Sequence, residues 1–186
     1  MTKDSMAILG GGELSSAIVN KLRHRFDITV FEHTTFDITN KENCDKVIDE
    51  LITYNIVIIT AGKHSNDVWE MWMVNNVGPA YIISSLENKY SDKQIIAVTS
   101  HGSSWTSWPG MDMNRLVYNS SKSGLTNFVY GLIHRDSSKN RITILEPSKF
   151  QSTMSNNTGA DITLVANQIE SIIDNPMHIL KIVCKQ

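Results

Sequence analysis

The first chemical signal in this sequence is a pair of residues four apart, Tyr118 and Lys122, in the run Tyr118-Asn119-Ser120-Ser121-Lys122. At i and i+4 on a helix they share one face, with Cβ atoms about 5–6 Å apart. An ammonium then stands beside a phenol. A free phenol titrates at about 10, and ionising it near neutrality requires roughly 4 kcal/mol. One cation about 4 Å away, at an effective dielectric of about 20, supplies a contribution of that size. Such a pair can move a proton onto or off an alcohol oxygen. The spacing alone carries little weight. Five Tyr and twelve Lys in 186 residues give roughly 0.3 such pairs by chance, and the plain alternative is a surface Tyr beside a solvated Lys.

A second signal lies near the start. Gly10-Gly11-Gly12-Glu13-Leu14-Ser15 follows an apolar run and opens a helical one, a G-x-G-x-x-S turn with Ser in the third small position. Glycines there let the backbone of Gly10, Gly12 and Leu14 approach a pyrophosphate seated on the positive end of the next helix. Glu32 stands 20 residues after Gly12, at the end of the next apolar run. An acidic side chain there accepts hydrogen bonds from a ribose 2′-hydroxyl and repels a 2′-phosphate. The two features predict a dinucleotide ligand, NAD in preference to NADP. The plain alternative is a tight turn and a solvated Glu.

These residues need elements to hold them. Short β-branched runs at Met6–Leu9, Ile28–Phe31, Asn55–Thr60, Gln94–Thr99 and Arg141–Leu145 read as parallel strands covered on both faces. Helical patterns separate them at Leu14–Arg23, Lys41–Leu51, Asp67–Asn88 and Leu116–His134, and another spans Ile162–Ile173 before a strand-like tail at Ile179–Val183. Thr39 and Glu42 have capping-box spacing. The alternation predicts an α/β fold: a single doubly wound Rossmann domain over residues 1–186, its mainly parallel sheet flanked by helices. The irregular stretches His101–Arg115 and Ser148–Ala160 follow strands, at the sheet end where such folds place ligands.

With the elements in order, the chain resembles the short-chain dehydrogenases/reductases from about residue 6 to 183. Tyr118–Lys122 followed by Ser123-Gly124 is similar to their active-site helix, and Val98-Thr99-Ser100 to the strand that delivers their serine. Val74-Asn75-Asn76-Val77-Gly78-Pro79 resembles N-x-x-G-P, Thr60-Ala61-Gly62 resembles N-A-G, and Asp37-Ile38-Thr39 resembles D-(V/I/L)-T. Pro147, Phe150 and Thr153 resemble P-G-F-x-x-T. The resemblance implies an NAD(P)-dependent oxidoreductase acting on a small carbonyl or secondary alcohol, with direct hydride transfer. It assigns Tyr118 as general acid/base and Lys122 as the group that lowers its pKa and holds the nicotinamide ribose. Ser100 orients the substrate carbonyl and Asn75 fixes a relay water. Asp37 and Ile38 meet the adenine, Ala61 and Gly62 line the cofactor, and Pro147 and Thr153 contact its nicotinamide half.

Departures from the pattern are specific. The glycine turn is shorter than T-G-x-x-x-G-x-G, Thr60 replaces the Asn of N-A-G, and Ser148 replaces the Gly after Pro147. Ser100 precedes Tyr118 by 18 residues, a wide interval that leaves Ser103 and Ser104 as rivals for its role. Trp105, Trp108, Met111 and Met113 in that interval fit a substrate-facing lid or an interface. The chain is short for the family, so its substrate cleft is expected to be open or completed by another subunit. Trp69, Trp72 and Met73 have the spacing of core or interface residues.

Seventeen basic and 19 acidic residues give a net charge of −2 without long basic runs, which argues against a nucleic-acid partner. Cys44 and Cys184, far apart, fit a reducing compartment, and no apolar span or leader is evident. A cytoplasmic protein without membrane or metal partners is expected. His64 and His101 have no further ligands at metal spacing. The long helices Asp67–Asn88 and Leu116–His134 carry apolar surface in excess, so a homodimer or homotetramer is expected. A different class remains open: a dinucleotide-sensing or scaffolding protein that has lost turnover. A sugar-nucleotide epimerase or reductase would need a longer carboxyl-terminal region than this chain has.

Overall fold

The structure, a computed structural model, describes residues 4–104, 111–135, 138–175 and 181–184. β1 (Asp4–Leu9) turns at its glycines into α1 (Glu13–Leu22) and returns as β2 (Phe26–Phe31). α2 (Lys41–Glu50) leads into β3 (Ile56–Ile59). α3 (Val68–Trp72), a π-helical turn (Met73–Val77) and α4 (Gly78–Lys89) form one helical run before β4 (Gln94–Val98). A 3-10 turn at His101–Ser104 precedes α5 (Met113–Ile133) and β5 (Arg141–Pro147). A second 3-10 turn, Thr153–Ser155, is followed by α6 (Ile162–Asp174) and β6 (Lys181–Cys184).

All six strands run parallel in the order β2-β1-β3-β4-β5-β6. Side chains alternate across each strand, and here both faces are covered. Ala7, Leu9, Val57 and Ile59 pack with Val47, Ile48, Ile82 and Val129 on one side. Met6, Ile8, Ile56 and Ile58 pack with Ile18, Leu22, Val165 and Ile169 on the other. This is why the strands read as unbroken apolar runs, and it is the doubly wound parallel sheet that the sequence predicts. Against the order 3-2-1-4-5-6 it lacks the outermost strand beside β2 and carries one more at the far edge, β6. Its direction reverses between β1 and β3, so a crevice opens at their carboxyl ends.

Local details differ from the sequence expectations. Asn40, not Thr39, caps α2, its side chain accepting from Asn43 N at 3.0 Å. Thr39 is committed instead to Asp37, whose Oδ1 accepts both its N–H and its hydroxyl at 2.9 and 2.7 Å, so no Thr39–Glu42 capping box forms. α5 begins at Met113 rather than Leu116, because Asp112 caps it by accepting from Arg115 N. Trp69 is 75% exposed; of its neighbours it is Met71 that enters the core. Trp105 and Trp108, expected in a lid or interface, lie outside the described residues, as does the start of the tail at Ile179.

Candidate active site

A cleft of about 890 Å³ opens at the carboxyl ends of β1, β3, β4 and β5, within the roughly 300–1,000 Å³ of small-molecule sites. The glycine turn Gly10–Leu14 lines one end, and Tyr118 and Lys122 line the other. Asp37, Ile38, Ala61, Gly62 and Pro147 also line it. Among the described residues no group of three or more His, Cys, Asp or Glu is arranged to hold a metal, and no helix is long and apolar enough to cross a membrane.

Lys122 is the floor of the cleft. It is 2% exposed, and its ammonium donates to Ala61 O at 3.0 Å and Val98 O at 3.4 Å, the carbonyl ends of two neighbouring strands. A Cβ on Gly62 would stand 3.1 Å from Lys122 Nζ, so a side chain there would press on the ammonium. Burial pushes the Lys122 ammonium down to about 8. Tyr118 lies one turn earlier on α5 and is half-buried. Burial raises its pKa above the ordinary phenol value, while the nearby Ser100 hydroxyl and the Arg115 charge pull the other way. This corrects the expectation that Lys122 lowers Tyr118: the ammonium is turned to backbone carbonyls, and desolvation dominates the phenol. His64 meets the Tyr118 ring edge-on at 5.5 Å between centroids.

Hydrogen bonding separates Ser103 from Ser100, while the side chain of Ser104 lies outside the described residues. Ser103 is buried and spends its hydroxyl on Glu146 Oε1 at 3.0 Å and Thr126 Oγ1 at 3.2 Å, while its carbonyl accepts from Ser123. It anchors the 3-10 turn to α5 and β5. Ser100 remains beside Tyr118, its Oγ accepting from Gly102 N at 3.2 Å.

Asn75 sits within the π-helical turn, fully buried. Its Oδ1 accepts from Lys63 N and its Nδ2 donates to Lys63 O, both at 2.8 Å, and Nδ2 also donates to Ser121 Oγ at 3.0 Å. π-bulges recur at functional sites, and this one aims an amide at the loop that carries Gly62. Both N–H groups of that amide are spoken for, so Asn75 fixes backbone rather than presenting its side chain to the cleft.

At the other end, Gly10 adopts φ +123°, and a Cβ there would stand 2.7 Å from Thr60 Oγ1. Ser15 Oγ donates to Gly10 O and contacts Thr60 Oγ1 at 2.8 Å. Two departures from the family pattern, Ser15 and Thr60, are thus one device that ties the turn to the end of β3. A Cβ on Gly12 would meet nothing within 4 Å, so the helix N-terminus is open to a ligand and the turn fits a pyrophosphate. Glu32 does not line the cleft; its side chain folds over Gly11, at whose Cβ position Glu32 Cγ would be 2.7 Å away. Thr153 does not line it either. Its N–H and hydroxyl donate to Glu13 at 2.8 and 3.0 Å. That contact spans 140 residues and has no local signal; the acidic residue in the glycine turn is its only trace in the sequence.

No protein-family model and no curated protein matches the chain. Solved structures do. The protein lin1944 from Listeria innocua superposes with a TM-score of 0.80 at 12% identity, over 98% of this chain and 100% of that one. A short chain dehydrogenase from Burkholderia cenocepacia J2315 in complex with NADP gives 0.75 at 14%, over 98% and 90%. The 3-alpha-hydroxysteroid dehydrogenase from Pseudomonas sp. B-0831 complexed with NADH gives 0.76 at 12%, over 97% and 95%. The chain has the short-chain dehydrogenase fold across nearly its whole length.

The depressed Lys122 pKa has a stability consequence. Between about pH 8 and pH 10 the unfolded lysine still binds a proton that the folded one has released, so stability rises with pH in that window. Below pH 8 both forms are charged and the burial penalty is present in full. Above about pH 10 the unfolded phenol ionises while Tyr118 does not, and the rise ends. Urea unfolding of Lys122→Met and the wild type should show the variant's relative stability falling by about 2–3 kcal/mol from pH 8 to 10. A difference independent of pH contradicts the buried ammonium.

Proposed function

We propose that the chain is an NAD(P)-dependent oxidoreductase interconverting a small carbonyl compound and its secondary alcohol. The observation that carries this reading is that Tyr118 and Lys122 form one end of a cleft whose other end is an open glycine turn at a helix N-terminus. The solved relatives in complex with NADP and with NADH share the fold. Gly10, Gly12 and Leu14 would hold the pyrophosphate, and Asp37, Ile38, Ala61 and Gly62 the adenosine side. Lys122, Pro147 and Thr153 would hold the nicotinamide side.

A bound nicotinamide supplies or accepts the hydride. The chain supplies position and a proton. Tyr118, kept protonated by burial, gives its proton to the carbonyl oxygen in reduction and recovers it in oxidation. Ser100 orients that oxygen. Two strand carbonyls fix the Lys122 ammonium, leaving a third N–H for a ribose hydroxyl. Asn75 holds the Lys63 turn and through Ser121 the adjacent turn of α5. NAD(H) is the preferred form on this reading because the Glu32 side chain, just past β2, lies against Gly11 of the glycine turn, where its charge would oppose a 2′-phosphate; His33 and Lys63, which line the cleft, are the places where a 2′-phosphate would otherwise be met.

The protein works on this reading as a cytoplasmic homodimer or homotetramer with a small-molecule substrate and no nucleic-acid partner. Val68, Trp69 and Val77 on the α3–α4 run and Met113 and Leu116 on α5 are exposed apolar residues suited to pairing. A monomer by light scattering at micromolar concentration, with cofactor present, contradicts it.

One experiment tests the chemistry. NADH at about 100 times its dissociation constant should stabilise the protein by about 2.7 kcal/mol, and NADPH at the same concentration by less. Tyr118→Phe should keep that thermal shift, since the ring still packs, and lose about 10²–10⁴ in turnover of whichever small ketone or aldehyde the wild type reduces. Wild-type activity in Tyr118→Phe removes the assignment. A wild type that binds NADH and reduces nothing puts the sensing protein in its place.

A further inference from the structure

The cleft carries an anion of its own where a cofactor's pyrophosphate is expected. Glu13 is the first residue of α1 and lines the cleft. Its carboxylate reaches across to the opposite rim, where Oε2 accepts from Thr153 N at 2.8 Å and Oε1 from Thr153 Oγ1 at 3.0 Å. Both partners are solvent-exposed, so the contact can open readily.

The opposite rim is a strap that holds its own shape. Phe150 and Ala160 form a β-bridge, and Gln151 N donates to Ala160 O and Ala160 N to Lys149 O at 2.8 and 3.0 Å. Inside the strap, Ser152 and Ser155 form a capping box around the 3-10 turn, and Ser155 Oγ donates to Phe150 O at 2.6 Å. Such a loop is compact and packed by its own groups. Phe150, Ser152 and Met154 project from it into the cleft lining. The Glu13–Thr153 contact therefore ties a preformed strap to the end of the glycine turn.

We propose that Glu13 is a gate for the dinucleotide. In the free chain its carboxylate holds Thr153 on the opposite rim, beside the open N-terminus of α1, and its charge opposes a pyrophosphate arriving there until the contact is released. Two consequences follow from charge and geometry. A carboxylate beside the pyrophosphate opposes a like charge, so Glu13 lowers the affinity for either nucleotide. Release also frees the Thr153 hydroxyl and amide to meet the ligand, coupling strap movement to occupancy. The inference rests on the cofactor reading above, and it gives a role to the contact that the acidic residue of the glycine turn makes across the cleft.

Two measurements on the full chain test it: the dissociation constants of NADH and NADPH by fluorescence titration, and hydrogen exchange of the strap amides without nucleotide. The forms compared are wild type, Glu13→Gln and Glu13→Ala. Glu13→Ala should bind both nucleotides about tenfold more tightly, a change of about 1.4 kcal/mol, and Glu13→Gln should fall between. The Thr153 amide should exchange several-fold faster in Glu13→Ala. Equal constants in the three forms, weaker binding in the variants, or a Thr153 amide that exchanges at one rate throughout overturns the gate alone. Binding of neither nucleotide by any form overturns the cofactor reading and the gate with it.

Discussion

A single buried ammonium organises the candidate site. Taking Lys122 out of water is expensive unless its protons are met, and here two backbone carbonyls at the ends of β3 and β4 meet them. That arrangement exists only because the two strands are parallel neighbours whose carboxyl ends finish level. It is also helped by the small residue at position 62, where a Cβ would press on the ammonium. It fixes the rotation of α5 as well: with Lys122 pinned beneath the sheet end, Tyr118 one turn earlier is brought to the cleft wall. Asn75 braces the same point from the far side, joining the Lys63 backbone to Ser121 next to Lys122. Sheet, π-helical turn and α5 converge on one charge.

The second centre is the hydroxyl pair Ser15 and Thr60. In isolation each looks like decay of a motif, a missing small residue and a missing Asn. Together they contact each other and share the Gly10 carbonyl, holding a shortened turn against β3. Two neutral hydroxyl contacts contribute on the order of 1 kcal/mol each. They also leave Gly12 unobstructed at the helix end. A degraded pattern in sequence is therefore an intact cradle in three dimensions.

What was legible in the sequence follows from how local each feature is. The strands could be read because both faces of the sheet are covered, so alternation collapses into runs such as Ile56–Ile59. The cleft wall could be read because Tyr118 and Lys122 share one helix turn. The π-helical turn could not, since Met73–Val77 carries no residue signature of its own and reads as one continuous helix with its neighbours. The capping residue was misplaced by one position because Thr39 and Asn40 are both good caps, and the choice depends on Thr39 being drawn to Asp37. The direction of the Tyr118 shift was missed because spacing reports the proximity of a charge and says nothing of desolvation. The Glu13–Thr153 contact joins opposite ends of the chain and leaves no periodic trace.

On the proposed function, the glycine turn and the Tyr118–Lys122 wall are two parts of one dinucleotide site. A crystal structure determined with NADH tests it most directly. The claim predicts the pyrophosphate over Gly12 at the N-terminus of α1 and the nicotinamide beside Tyr118, with its ribose within hydrogen-bond reach of Lys122. A nucleotide bound elsewhere, or bound in this cleft with its nicotinamide away from Tyr118, would contradict it.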